Sequence, residues 1–153
     1  MPCVIMRAAD FGVTGNETRE ALEAHQTLKD AIESIRLQAG RLMGLGDVKK
    51  ISIPKMTLVA APNDLSVIKT RSFIPHRVHA SIGVFAAITV ATSCIIPNSI
   101  SAPLADLPSN NIYSIQHPSG TIKVQIDMDM SGRIKRSGVI RTARKLMDGS
   151  VFL

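Results

Sequence analysis

The chain has 153 residues, 45% hydrophobic and 20% charged, enough apolar sequence for one real core, which excludes a disordered polypeptide. A formal net charge of +6 suits an anionic partner, but Trp is absent and aromatic residues are 3%, so surfaces for stacking on bases are poorly supplied. Small acids fit better than nucleic acid, because the basic residues are scattered except for Arg133, Lys135, Arg136, Arg141, Arg144 and Lys145.

From the amino end, residues 2–9 (PCVIMRAA) read as a short buried strand, and a core strand at the very start points to a longer polypeptide of which this is a part. No basic segment followed by a long apolar run precedes it, so a signal peptide is not expected. Cys3 in this strand and Cys94 further on read as reduced core residues of a cytoplasmic protein. After a Gly-containing loop, Asn16 or Thr18 is placed to cap a helix, with Glu17 and Glu20 near its positive end. Ala21, His25, Leu28, Ile32, Ile35 and Ala39 recur at spacings of four and three, which predicts an amphipathic helix over residues 17–42 with His25 packed on its seam. Gly40, Gly44 and Gly46 close that helix. They follow a helix and lack Gly-Lys-Ser/Thr, so they form a cap and a connection, not a phosphate loop.

Residues 51–61 alternate around Pro54, which predicts an edge or bulged strand with Lys55 at the break, either a substrate-binding ammonium or a solvated charge. Residues 66–74 alternate again, with Lys69, Arg71 and Phe73 on one side and Ile68, Thr70, Ser72 and Ile74 on the other. The stretch from Arg71 to Ile96 organises the rest. Wound at 3.6 residues per turn, the apolar residues between Val78 and Ile96 point in every direction, which predicts an enclosed helix of roughly 18 residues, about 27 Å long. His79, Ser81, Thr89, Thr92 and Ser93, with no aromatic belt, argue against a membrane span. At its start stand His76, Arg77, His79 and Ser81. Free amides and the helix dipole attract carboxylate or phosphate there, and Gly83 leaves room for close approach. The plainer reading is that Gly83 eases packing and the histidines cap the helix.

Beyond a Pro/Ser/Asn-rich loop, residues 112–117 read as a strand and His117-Pro118-Ser119-Gly120 as a turn. His117 either reaches the helix start or only shapes that turn. Residues 121–130 alternate with Ile122, Val124, Ile126, Met128 and Met130 inward, residues 134–147 continue after Ser131-Gly132, and Asp148-Gly149 turns into residues 151–153. The sequence contains no nucleophile elbow, and His76 with His79 alone does not make a metal site. These residues together predict a largely antiparallel sheet rolled around one hydrophobic helix, with a second helix outside.

The runs RAADFGVTG, IRLQAGRLMGLGDV, IPKMTLVAAP, FIPHRVHASIGV, HPSG and IRTARKLMDG, in this order and spacing, resemble the second half of the 4-oxalomesaconate tautomerases, which group with PrpF-type aconitate and methylaconitate isomerases. The resemblance implies an α+β class, one lobe of a diaminopimelate-epimerase-like fold, with residues 1–153 a single lobe corresponding to the C-terminal half and the N-terminal lobe absent. It implies a cofactor-independent 1,3-proton shift on an unsaturated di- or tricarboxylate, with neither cofactor nor metal. The acid and base are expected in the missing lobe and no catalytic residue in this one, which alone is expected to be inactive. Substrate binding falls to Arg71, His76, Arg77, His79 and Lys55 with Ser81, Ile82 and Gly83. Diaminopimelate epimerases carry a catalytic cysteine at the equivalent helix start. Here Ala80 or Ser81 stands there, so two-thiol racemisation is not available from this lobe. The expected partners are the small acid and the missing lobe, with a homodimer allowed and neither nucleic acid nor membrane. Two competing readings are an isomerase for 2-methylaconitate or aconitate and a non-catalytic anion-binding domain using the basic residues of 133–145.

Overall fold

A computed structural model of the chain describes residues 1–150; the segment 151–153, expected to follow the Asp148-Gly149 turn, lies outside the described residues. Its strands are β1 (Cys3–Arg7), β2 (Lys55–Ala60), β3 (Ile68–Ile74), β4 (Arg77–Val78), β5 (Ile112–His117), β6 (Gly120–Met128) and β7 (Ile134–Ile140). They form one sheet in the order β1-β2-β3-β5-β6-β7, with the two-residue β4 paired to β3. β1 with β2 and β3 with β5 run parallel, and the other pairings are antiparallel, so the sheet is mixed. β2 is not the expected edge strand. It lies between β1 and β3 with four consecutive buried residues, and Pro54 falls just before it, where its missing N–H costs no ladder bond.

The helices α1 (Arg19–Ala24), α2 (Gln26–Leu42) and α3 (Val84–Ile95) cover the sheet. The predicted helix over residues 17–42 is therefore two. Thr18 caps α1 by accepting from the Ala21 amide, and His25 breaks the run at φ −82°, ψ 83° while its Nδ1 accepts from the Leu28 amide. His25 is a cap in its own right, because an imidazole nitrogen can satisfy an orphan amide as a Ser or Asn oxygen does. Leu22, Leu28 and Ile32 pack with Met56, Leu58, Phe73 and Val78 on the outer face of the sheet. On the inner face Ala86, Ala87, Val90, Ala91 and Cys94 of α3 meet Ile68, Tyr113, Ile115, Val124 and Ile126. The sheet curls around α3, which touches both end strands, β1 and β7.

Two expectations about α3 need correction. The helix begins at Val84, not Val78, because the chain after Pro75-His76 turns back and Arg77–Val78 pairs with Ile74 and Phe73 of β3. Nor is it enclosed all round: its buried residues share one face, and Phe85 on the other is 68% exposed. Small side chains, mostly alanine, let the buried face lie close to the sheet. β6 stops at Met128, where the register shifts and Asp129 caps a hairpin by accepting from the Ser131 and Arg133 amides, so Met128 and Met130 are exposed rather than inward. β7 ends at Ile140 and residues 141–150 carry no regular structure. No helix among the described residues is long and apolar enough to cross a membrane.

Candidate functional site

The loop from β4 to α3 carries two adjacent sites. The first is the start of α3, capped by Gly83 with no side-chain cap, so its leading amides carry no internal partner. A small hollow of about 100 Å³ there is lined by Met1, Lys55, Ser72, Ile74 and residues 83–86. Burial lowers the Lys55 ammonium's affinity for its proton, and its Nζ donates to Ser52 Oγ at 3.1 Å. Behind it a polar row crosses three strands: Cys3 Sγ lies 3.9 Å from Thr57 Oγ1, which lies 3.1 Å from Ser72 Oγ.

The second site is a cleft of about 370 Å³ lined by Ser81, His117, Thr121, Ile122, Lys123, Ile140, Arg141 and Thr142. His117 ends β5 with its side chain on the inner face, in line with Tyr113 and Ile115, and is 7% exposed. Its Nε2 lies 3.2 Å from Ser81 Oγ and its Nδ1 lies 3.3 Å from Ser119 Oγ. Burial above all, and then the nearby His79 and Arg71, push the His117 pKa below its ordinary value, which keeps the imidazole neutral near pH 7. Lys123 pairs with Ser114 and alternates with the inward Ile122 and Val124, so its side chain belongs to the face opposite His117. Arg141, which follows Ile140 of β7, lines the cleft as an exposed cation beside the part-buried imidazole–hydroxyl pair.

The eight residues proposed from sequence do not gather in one place. Ser81 lies in the cleft. Its amide donates to His79 Nδ1 at 3.0 Å and so is not a free oxyanion donor, and Ile82 is buried in the inner core. Gly83 and Lys55 meet at the α3 start. His76 and Arg77 lie on the outer side, where His76 Nδ1 is 3.8 Å from Glu33 and Arg77 Nε is 3.3 Å from Glu23. Arg71 is buried and donates to the carbonyls of Glu17 and Thr70 and to Gln116 Oε1, which fastens the loop before α1 to the sheet. The alternation of residues 66–74 already put Arg71 on the side of Phe73, away from α3. Sequence reasoning named Arg141 only as part of the basic stretch 133–145 and left the role of His117 open. The available signal was the HPSG turn, which folds β6 back onto β5, pairs His117 with Gly120 and sets Ser119 Oγ against His117 Nδ1. Among the described residues no three His, Cys, Asp or Glu side chains gather as a metal site would need.

Comparison with known proteins covers the entire chain. A family model described as PrpF protein matches residues 1–153. The chain is 51% identical over 155 residues to a (4E)-oxalomesaconate Delta-isomerase of Novosphingobium sp. (strain KA1) and 49% identical over 155 residues to a 4-oxalomesaconate tautomerase of Pseudomonas putida. Each alignment spans 100% of this chain and 43% of the relative, so the chain is less than half as long as the curated proteins it matches. The crystal structure of a methylitaconate-delta-isomerase superposes with a TM-score of 0.83 at 22% identity, over 97% of this chain and 43% of that one, which shows a shared α+β fold.

Proposed function

The chain belongs to the PrpF family, and from that premise we propose that it is the carboxylate-holding part of a cofactor-independent isomerase acting on an unsaturated tricarboxylate of the 4-oxalomesaconate type. The observation that carries the reading is the near-50% identity, along the whole chain, to two enzymes both named for oxalomesaconate; relatives named for 2-methylaconitate stand at 25%. In a 1,3-proton shift one C–H bond breaks, its electron pair moves the double bond along by one carbon, and a proton is returned to the far carbon, with no net oxidation. The intermediate is a dienolate whose charge spreads onto the substrate's oxygens. Fixed donors and cations aimed at those oxygens stabilise it by about 3 to 4 kcal/mol for one oxyanion donor. We assign that task to Ser81 and Arg141 in the cleft and to Lys55 and the Gly83-capped amides at the start of α3. Arg71, His76 and Arg77 are assigned structural contacts. We assign the proton-moving acid and base to the remainder of a longer protein, for which residues 1–153 form one lobe.

The test uses the 153-residue chain and the same chain joined to the unmatched portion of the Pseudomonas putida tautomerase. The chain alone is expected to bind 4-oxalomesaconate without exchanging its protons with deuterated water, whereas the joined protein isomerises it faster than 2-methylaconitate or aconitate. Full-rate turnover by the chain alone would refute the division of labour. A joined protein that prefers 2-methylaconitate would move the assignment to that acid. Binding of DNA that weakens steeply with salt, with no binding of tricarboxylate, would point to a nucleic-acid module instead.

A further inference from the structure

The direction of the hydrogen bonds around His117 decides what the cleft accepts, and two arrangements fit the distances. If Nδ1 carries the proton, it donates to Ser119, Nε2 accepts from the Ser81 hydroxyl, and only Ser81 lone pairs face the cleft. If Nε2 carries it, the Ser119 hydroxyl donates to Nδ1 at 3.3 Å, Nε2 donates to Ser81 Oγ at 3.2 Å, and the Ser81 proton is free to point into the cleft. The surroundings choose between them. Arg141 lines the cleft and, among the described residues, no Asp or Glu does, so its potential favours an anion. A wall of lone pairs beside that cation would repel such a ligand at the part-buried Ser81–His117 contact. The Ser81 amide is already spent on His79, so the hydroxyl is the only donor of this residue left to face a ligand.

We propose that Ser119, His117 and Ser81 form a one-way donor relay that ends on a carboxylate of the bound acid, with Arg141 holding its charge. Ser81 touches the ligand; His117 and Ser119 are positioning residues that fix the hydroxyl's direction. The inference rests on the isomerase reading for the identity of the acid and stands on the geometry for the relay itself. Neither His117 nor Ser119 exchanges a proton with substrate. The imidazole stays neutral throughout.

The experiment is a nitrogen-15 NMR titration of the 153-residue chain with tricarballylate, a saturated tricarboxylate with no double bond to move, and with inorganic phosphate as a second anion. His117 is expected to be neutral with its proton on Nε2 before and after tricarballylate is added. Ser81→Ala is expected to weaken tricarballylate binding about tenfold, with Ser81→Thr restoring most of it, and Ser119→Ala to weaken it about threefold while the His117 ring populates both tautomers. A proton on Nδ1 in the unaltered protein overturns the relay, as does unchanged affinity in Ser81→Ala. Equal affinity for phosphate and tricarballylate overturns carboxylate recognition. If the relay behaves as stated while the joined protein leaves 4-oxalomesaconate unchanged, the isomerase reading fails and the relay stands. If the joined protein isomerises with a KM that Ser81→Ala leaves unaltered, the relay fails and the isomerase reading stands.

Discussion

Arg36 shows how much one side chain can hold. It is 0% exposed, its Nη1 donates to the carbonyls of Val48, Ile51 and Ile53 at 2.9, 3.0 and 3.0 Å, and its Nε and Nη2 take both Glu33 oxygens at 2.7 and 2.8 Å. It thereby fastens the loop that feeds β2. Arg36→Met keeps much of the volume but strands three carbonyls and a carboxylate, so it is expected to cost about 3 to 5 kcal/mol, read as a fall in the urea midpoint at unchanged slope. His117 makes a prediction of the opposite kind, in pH. Burial and the neighbouring charges of His79 and Arg71 hold its folded pKa below the ordinary value of about 6.5, so the unfolded chain binds the extra proton first. The stability this group contributes is complete above that ordinary value and is lost as pH falls through the folded pKa. Urea midpoints taken between pH 7 and 5 should therefore fall more steeply for the unaltered chain than for His117→Gln; equal slopes would show that the imidazole is not held neutral. Neither role was legible from residue type. Arg36 sits one position from Ile35 on an otherwise ordinary amphipathic helix, and besides Glu33 its partners are backbone carbonyls 12 to 17 residues away, which no side-chain pattern announces.

At the scale of elements, strand alternation was the most readable feature, since β3, β5 and most of β6 fall where period-two patterning put them. Helix ends were read less well, and for one reason. The apolar residues of the run from Val78 to Ile96 fall on every side and its polar ones interrupt no face, so periodicity cannot separate a β-hairpin and a loop from the first turns of a helix, whereas Gly83 as cap and a short reverse pairing at Arg77–Val78 do so in three dimensions. The same shift dispersed the expected site: with Arg77 in a strand, its guanidinium faces Glu23 and not α3. Gly40 tests the packing of α2. A Cβ there would come within 2.6 and 2.8 Å of the two Val48 methyls, so the gain in helix propensity from Gly40→Ala, about 1 kcal/mol, is opposed by a clash with the loop that Arg36 fixes. The substitution is expected to destabilise by about 1 to 2 kcal/mol, and Val48→Ala in the same chain to recover part of that loss, a coupling that a double-mutant cycle measures. Additive losses would mean the two positions do not touch.

For the whole molecule, the governing fact is that two apolar clusters share one sheet. Val59 and Ile68 face α3 on the inner side while Met56, Leu58 and Phe73, on the same two strands, face α1 and α2 on the outer side. Composition promised a single aliphatic core, and the roll was legible because an apolar helix among alternating strands has few other ways to hide. The second layer was not, because β2 and β3 are buried on both faces and such strands mimic an edge once a proline stands nearby. Sharing strands has an energetic consequence. Loosening either helix layer exposes one face of β2 and β3, and those strands cannot keep their pairing while the opposite cluster stays packed, so neither layer should unfold without the other. Leu28→Ala in the outer cluster and Ile115→Ala in the inner one are each expected to cost about 2 to 5 kcal/mol, and each should move one single transition, seen at the same midpoint by circular dichroism and by Tyr113 fluorescence, which reports the inner cluster. Phe85→Ser, on the exposed side of α3, should shift that midpoint by no more than about 0.5 kcal/mol. Two separated midpoints in Leu28→Ala would mean that α1 and α2 peel away independently, and the shared strands would then be a scaffold for two units instead of the hinge of one.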